Sequence, residues 1–304
     1  MRCLKDLLYG LYLAVMSPLR ANVYVAPAIP WYKPNGQEGG PWSPISSTLI
    51  HGDHEAVLVD TPITTEQNKE LADWIEATVP GKRLTTIYIT HGHADHWFGI
   101  GVLQKRFPVV KAVATTGTIS HMKQQIEPKA FKATWGTQFP GQIDEDFQLA
   151  DPLPPHGEFY LEGHVLKAVE VGHSDTHDST VLWVPDLKLA VCGDVVYGDV
   201  HQMLAFSNTK ELREEWMAAI EKVEALGPEI IVAGHKKPGE LDGTFHLAAS
   251  KKYIRDFGDI VEGGAKDARE VSKEMLKRYP TRFNKGALLA GCNAAFKAQK
   301  RNKL

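Results

Sequence analysis

The sequence predicts an α/β fold in which short strands alternate with amphipathic helices. Three features carry that expectation: apolar, β-branched runs of strand length, intervening stretches with helical apolar periodicity, and ligand-type side chains where several strands run out. The 304 residues are 43% hydrophobic, enough to bury a substantial core as one large domain or two small ones.

Residues 1–21 read as an N-terminal extension. Arg2 and Lys5 precede an apolar run over 7–16, which imitates a signal peptide. Asp6 intrudes, however, Leu19-Arg20-Ala21 is a poor cleavage site, and the run is too short for a comfortable membrane span. A helix packed outside the domain is the preferred reading. Residues 22–304 then form a single domain that closes in C-terminal helices.

That domain opens with strands over 22–29 and 47–59, joined by a Pro/Gly-rich link carrying Trp31, Tyr32 and Trp42. Gly52-Asp53 turns a hairpin, with His51 and His54 read as surface residues. Asp60 ends the second strand. Over 65–79, Leu71, Trp74, Ile75 and Val79 share one helical face, and Pro80-Gly81 stops the helix. Leu-Thr-Thr-Ile-Tyr-Ile over 84–89 suits a strand, because branched and aromatic side chains fit a pleated surface. A short helix from Trp97 must stop by Phe107, since Pro108 cannot continue it, and 109–115 returns as a strand. Residues 118–155 read as mixed helix and loop. Strands follow over 165–171, 179–184 and 187–192. A helix over 208–226 has Asn208 and Glu211 as its cap pair and Leu212, Trp216, Ile220 and Val223 as its stripe. A strand over 229–233 precedes closing helices over 245–261, 266–278 and 286–300.

The formal charge of −3 argues against a protein that holds nucleic acid by its net field, and the basic cluster over 297–303 reads as a solvated end. Cys3, Cys192 and Cys292 are odd in number and far apart, which fits a reducing compartment and favours a cytoplasmic protein over a secreted one. Cys192 lies in an apolar strand-like run and reads as a buried filler. The expected partner is a small-molecule substrate, not nucleic acid or membrane, and the C-terminal helices offer a face for a homodimer.

The chemistry gathers at Thr90-His91-Gly92-His93-Ala94-Asp95-His96, directly after the strand over 84–89. His91 and His93, two apart, can point to one side and share an ion. Asp95 and His96, being adjacent, project differently and can serve a second ion beside the first. Imidazole with carboxylate suits zinc, iron or manganese, and packing such groups together without an ion would be costly. Further along, His173, Asp194 and His235 each follow an apolar run and a glycine, which lets the backbone turn sharply and aim a side chain into a shared cleft.

This order of residues resembles the metallo-β-lactamase superfamily over about residues 22–240. Its His-x-His-x-Asp-His motif is matched in full at His91, His93, Asp95 and His96. The resemblance implies a four-layer αββα sandwich with two divalent metal ions between the sheet edges, zinc foremost. It implies that His91, His93 and His173 hold one ion, that Asp95, His96 and His235 hold the other, and that Asp194 bridges them. Asp60 is similar to a carboxylate that orients a ligating histidine. Asp178 is the one member of the polar cluster over 175–178 assigned a supporting place there; the rest read as turn formers. The β-lactam-hydrolysing branches usually carry a cysteine where Asp194 stands, so the set looks instead like lactonases, glyoxalase-II-type thioesterases and fungal lactam hydrolases. Tyr197 resembles the tyrosine that contacts the substrate carbonyl in lactonases, and Asp95 is the expected proton carrier. Trp97 and Phe98 could border the pocket but read more naturally as core, and His201 as a surface loop residue. The expected activity is opening of a cyclic ester, cyclic amide or thioester. The alternatives are a mononuclear non-haem iron persulfide dioxygenase and a nucleic-acid-processing hydrolase.

Overall fold

The apolar runs become two face-to-face sheets in the computed structural model, which describes residues 18–301. The first half of the chain comprises β1 (Arg20–Ala26), β2 (Pro30–Tyr32), β3 (Glu38–Pro41), β4 (Ile45–His51), β5 (Glu55–Val59), α1 (Thr65–Thr78), β6 (Arg83–Tyr88), α2 (Ile100–Arg106) and β7 (Lys111–Ala114). It continues with α3 (Thr116–Gln125), α4 (Pro128–Ala133), α5 (Trp135–Gln138) and β8 (Asp151–Pro152). The second half comprises β9 (Glu158–Leu161), β10 (His164–Gly172), β11 (Ser179–Val184), β12 (Leu189–Val191), α6 (Lys210–Ala225), β13 (Ile230–Val232), α7 (Phe245–Glu262), α8 (Ala268–Arg278) and α9 (Lys285–Arg301).

Among the described residues, one sheet runs β1-β4-β5-β6-β7-β8 and the other β13-β12-β11-β10-β9. The hairpin β4–β5 is antiparallel, whereas β5, β6, β7 and β8 run parallel, with α1 crossing between β5 and β6. Both sheets are covered on both faces, which explains the nearly continuous apolar strands. In β5, Ala56 and Leu58 pack outward under α1 and α2, while Val57 and Val59 face the other sheet. In β11 and β12, Leu182, Val184, Leu189 and Val191 fill the space between the sheets, while Val181 and Ala190 meet the layer of α6 to α9. The result is the four-layer αββα sandwich that the resemblance implies.

Local signals set the helix ends. Thr64 and Gln67 form a reciprocal capping box at the start of α1. Thr209, not Asn208, caps α6 by accepting from the Leu212 amide. Other departures are small. The first strand begins at Arg20, within the expected N-terminal extension, and residues 1–17 of that extension lie outside the described residues. The Pro/Gly-rich link carries the hairpin β2–β3, and His51 is buried rather than on the surface, with its ring against Asn22 Oδ1 at 3.0 Å. A 3₁₀ turn over Ala94–His96 holds the histidine motif before α2 begins. Trp97 and Phe98 pack into the first helical layer, and the Trp97 indole N–H donates to the Gly92 carbonyl at 2.9 Å. Cys192 and Cys292 are buried. Among the described residues, no helix is long and apolar enough to cross a membrane.

Trp216 is fully enclosed beneath the second sheet, and its indole N–H donates to the Val195 carbonyl at 2.9 Å. Trp216→Ala should therefore lower stability by about 3–5 kcal/mol, read as a shifted denaturant midpoint. An unchanged midpoint would contradict this packing.

Candidate metal centre

Loops leaving the strand ends meet in one cleft between the sheets. The turn after β6 supplies His91, His93, Asp95 and His96; the turn after β12 supplies Asp194; the turn after β13 supplies His235. Glycine makes the last two approaches tight. Gly193 sits at φ +48°, and a Cβ on Gly234 would lie 2.5 Å from the Gly193 carbonyl carbon. The Gly234 amide donates to the Gly193 carbonyl at 2.9 Å, so the two ligand-bearing turns are clasped backbone to backbone.

Three groups of donor atoms gather there, each within 4.8 Å of one another: His91, His93, Asp175 and Asp194; Asp95, His96 and His235; and Asp60 with His91 and His96, which shares its imidazoles with the other two. Asp194 reaches the first two, with Oδ1 at 3.1 Å from His96 Nε2 and Oδ2 at 3.4 Å from His235 Nε2.

His173 is not among them. Its Nε2–H donates to Ser207 Oγ at 2.9 Å, and Ser207 in turn donates to the Ser174 carbonyl. The register of β10 against β11 shifts between Glu170 and Gly172, and the loop closes with the Ser174 amide on the Thr176 carbonyl. That path turns His173 away and brings Asp175 inward, fully buried, with Oδ2 at 2.7 Å from His93 Nδ1. A carboxylate therefore stands where the resemblance placed a third histidine. Asp178 is not beside the ligands either: it is exposed and pairs with His177 Nδ1 at 2.7 Å.

The partners of the histidines fix which nitrogen faces the cleft. The Thr90 amide and hydroxyl donate to Asp60 Oδ1 and Oδ2 at 2.9 and 2.7 Å, and His96 Nδ1–H donates to Oδ2 at 2.9 Å. His91 Nδ1–H donates to the Thr90 hydroxyl oxygen at 3.0 Å, and His235 Nδ1–H to the Pro44 carbonyl at 2.9 Å. Each leaves its Nε2 lone pair for the cleft. Asp60 keeps a positive φ of 59°, a strained backbone for a residue other than glycine, held by this network.

A pair of divalent ions fits this donor set. His91 Nε2, His96 Nε2, Asp175 Oδ2 and Asp194 Oδ1 are buried yet make no aligned hydrogen bond, although they crowd one another. Nitrogen and oxygen donors aimed at common points are what a metal position requires, and such a set suits zinc, iron or manganese. Burial, reinforced by neighbouring His96, holds the His91 imidazole well below its ordinary pKa and so neutral. Burial and the Asp194 carboxylate push the Tyr197 phenol well above its usual range; its hydroxyl donates to Asp194 Oδ2. Trp42 donates its indole N–H to Asp95 Oδ2 at 3.1 Å.

Above the donors lies a cavity of about 310 Å³, lined by Tyr197, Trp42, Trp135, Phe206 and His201, with Ala287 and Ala290 of α9 along one side. His201 is buried and on the pocket wall rather than on the surface, with its Nδ1 at 2.8 Å from the Tyr253 hydroxyl. Asp175 had a signal in the polar run over 173–179; Trp135, Phe206 and the α9 alanines had none.

The metallo-beta-lactamase superfamily profile matches residues 40–235. Type 2 metallo-beta-lactamases of Bacteroides fragilis and Bacillus cereus are each 24% identical, over 72% and 76% of this chain and 79% and 80% of theirs. In structure, a metallo-beta-lactamase family protein from Thermus thermophilus matches with a TM-score of 0.63 at 18% identity, over 92% of this chain and 93% of its own. A metallo-beta-lactamase from Pontibacter korlensis gives a TM-score of 0.53 at 19% identity, over 78% and 99%.

Two substitutions separate the donor assignments. Asp175→Ala and His93→Ala should each cut the metal bound per chain, by elemental analysis, while His173→Ala leaves it unchanged; the reverse pattern would restore His173 as a ligand. Asp60→Asn should weaken metal binding by about 10–100-fold in a competitive titration, because it loosens the anchor of His96 and Thr90.

Proposed function

The chain belongs to the metallo-beta-lactamase superfamily, and from that premise we propose that it is a two-metal hydrolase opening a small cyclic ester, cyclic amide or thioester. The observation that carries the reading is the convergence of two buried donor groups on the single carboxylate of Asp194. Two divalent ions, zinc foremost, would supply hydroxide near neutral pH and polarise the attacked carbonyl.

The chain's own residues have separate tasks. His91, His93 and Asp175 would hold one ion, Asp95, His96 and His235 the other, and Asp194, within reach of both groups, would serve the two together. Tyr197 keeps its proton and can turn its hydroxyl from Asp194 toward the oxygen of the attacked carbonyl, where charge develops. Asp95, its Oδ2 fixed by Trp42, lies on the cavity floor and is placed to carry a proton to the leaving atom. The relatives named as β-lactamases support amide opening in a ring, while the carboxylate at position 194 supports ester and thioester substrates as well.

One observation favours a second reading. Within the group His91, His93, Asp175 and Asp194, the first three make up a two-histidine, one-carboxylate set of the kind that mononuclear iron oxygenases use. The complete group Asp95, His96 and His235 beside it favours two ions and hydrolysis.

Chelation of the metal should abolish turnover of lactone, lactam and thioester substrates, and added zinc should restore it. Tyr197→Phe should lower kcat by about 10²-fold with metal content unchanged. Full-rate hydrolysis by metal-stripped protein would end the proposal, and one iron per chain with oxygen uptake would favour the oxygenase.

A further inference from the structure

We propose that the cavity selects an electrically neutral substrate with a compact apolar or aromatic body and discriminates against one that carries a carboxylate. This rests on the hydrolytic reading above and names the substrate class of the same site.

The cavity walls are apolar where they are widest. Trp42 packs edge-on against Trp135 at 5.7 Å between ring centroids, and Phe206 stands at 5.5 Å from the His93 ring. Opposite them, α9 presents Ala287 and Ala290. This helix lies beyond residues 40–235, so one wall is built by chain outside the family match. Away from the imidazoles and carboxylates of the donor groups, the polar lining is uncharged: Gln138 Oε1 and His201 Nε2 are buried and have no hydrogen-bond partner, and burial and Arg282 push the His201 imidazole down to about 4.

Among the described residues, no lysine or arginine lines this cavity. Lys129 and Lys285 flank the lining residues Ala130 and Asn284 but are exposed and not among the lining, and three other basic side chains near the site along the chain are committed elsewhere. Lys236, directly after His235, is buried with its ammonium on Asp242 Oδ1 at 2.6 Å and the Glu240 carbonyl at 3.2 Å. Lys237 bonds Asp199 and the Thr281 carbonyl. Arg282 donates to the Val200 carbonyl at 2.8 Å and stacks over Tyr253 and Tyr279.

The metal centre does not make up the difference. Asp95, Asp175 and Asp194 bring three negative charges to it. Together with a hydroxide they balance two divalent ions, so a filled centre is close to neutral. Asp175 is decisive in that balance, since a histidine in its place would leave one positive charge over. A substrate carboxylate would thus give up its hydration to apolar walls with no cation to replace it. A neutral ring with an aryl or alkyl arm loses nothing comparable and gains the apolar contact.

Matched ligands test this on the metal-loaded full chain. Benzyl-substituted and 4-carboxybenzyl-substituted γ-butyrolactones are compared for kcat/KM, and the corresponding cyclopentanones, which cannot be hydrolysed, for binding by quenching of tryptophan fluorescence. The benzyl member of each pair should be favoured by at least about tenfold, because only the carboxylate must be desolvated unpaired. Ala290→Lys, which sets a cation on the half-buried wall, should raise the affinity of the carboxybenzyl ketone and narrow the gap. A carboxybenzyl ketone that binds the unaltered protein as well as the benzyl ketone, or a benzyl ketone that does not bind, overturns the inference. Selective binding of the benzyl ketone with no hydrolysis of any lactone, lactam or thioester would instead retire the hydrolytic reading and leave the selectivity standing.

Discussion

Buried imidazoles and carboxylates packed with their lone pairs facing inward are the constraint on which this structure depends. Left to themselves, groups such as His91, His96, Asp175 and Asp194 would be among the least favourable contents of a protein interior, each with one cleft-facing atom stripped of water and without an aligned partner. The fold tolerates them because they share centres where a cation can replace every lost hydrogen bond at once. The rest of the molecule, two stacked sheets and two helical layers, serves to carry the strand ends to that point and hold them there.

Holding them requires more than burial. Asp60 grips Thr90 and His96, and through Thr90 it also orients His91, so a single carboxylate behind the site sets the direction of two imidazoles. The Gly193–Gly234 contact performs the same service for the other half, tying Asp194 to His235 through the backbone rather than through side chains. Both devices are short and stiff, which suits a centre whose donors must not drift.

The exchange of His173 for Asp175 changes the character of the site as well as its membership. A third imidazole would leave the filled centre positive, whereas a third carboxylate brings it near neutrality, and the apolar cavity above contains no cation among its described lining residues. Metal centre and cavity therefore favour the same kind of ligand for the same electrostatic reason. The helix α9 completes the enclosure, so the end of the chain joins the site that its middle builds.

By itself the sequence determined the strands and helices and the cluster of donor-type residues. Strand-length apolar runs such as 84–89 and the helical stripe of Trp216 with Ile220 are local patterns, legible because a strand or helix repeats every few residues. The cluster at His91, His93, Asp95 and His96 was legible for the same reason, its spacing being a property of neighbouring residues. Only the tertiary structure decided between His173 and Asp175, placed His201 on the pocket wall instead of the surface, and brought Trp135, Phe206 and α9 around the cavity. Those outcomes hinge on a register shift in β10 and on contacts between segments far apart in the chain. Neither leaves a periodic trace along it, because which way a loop side chain turns is settled by what packs against it.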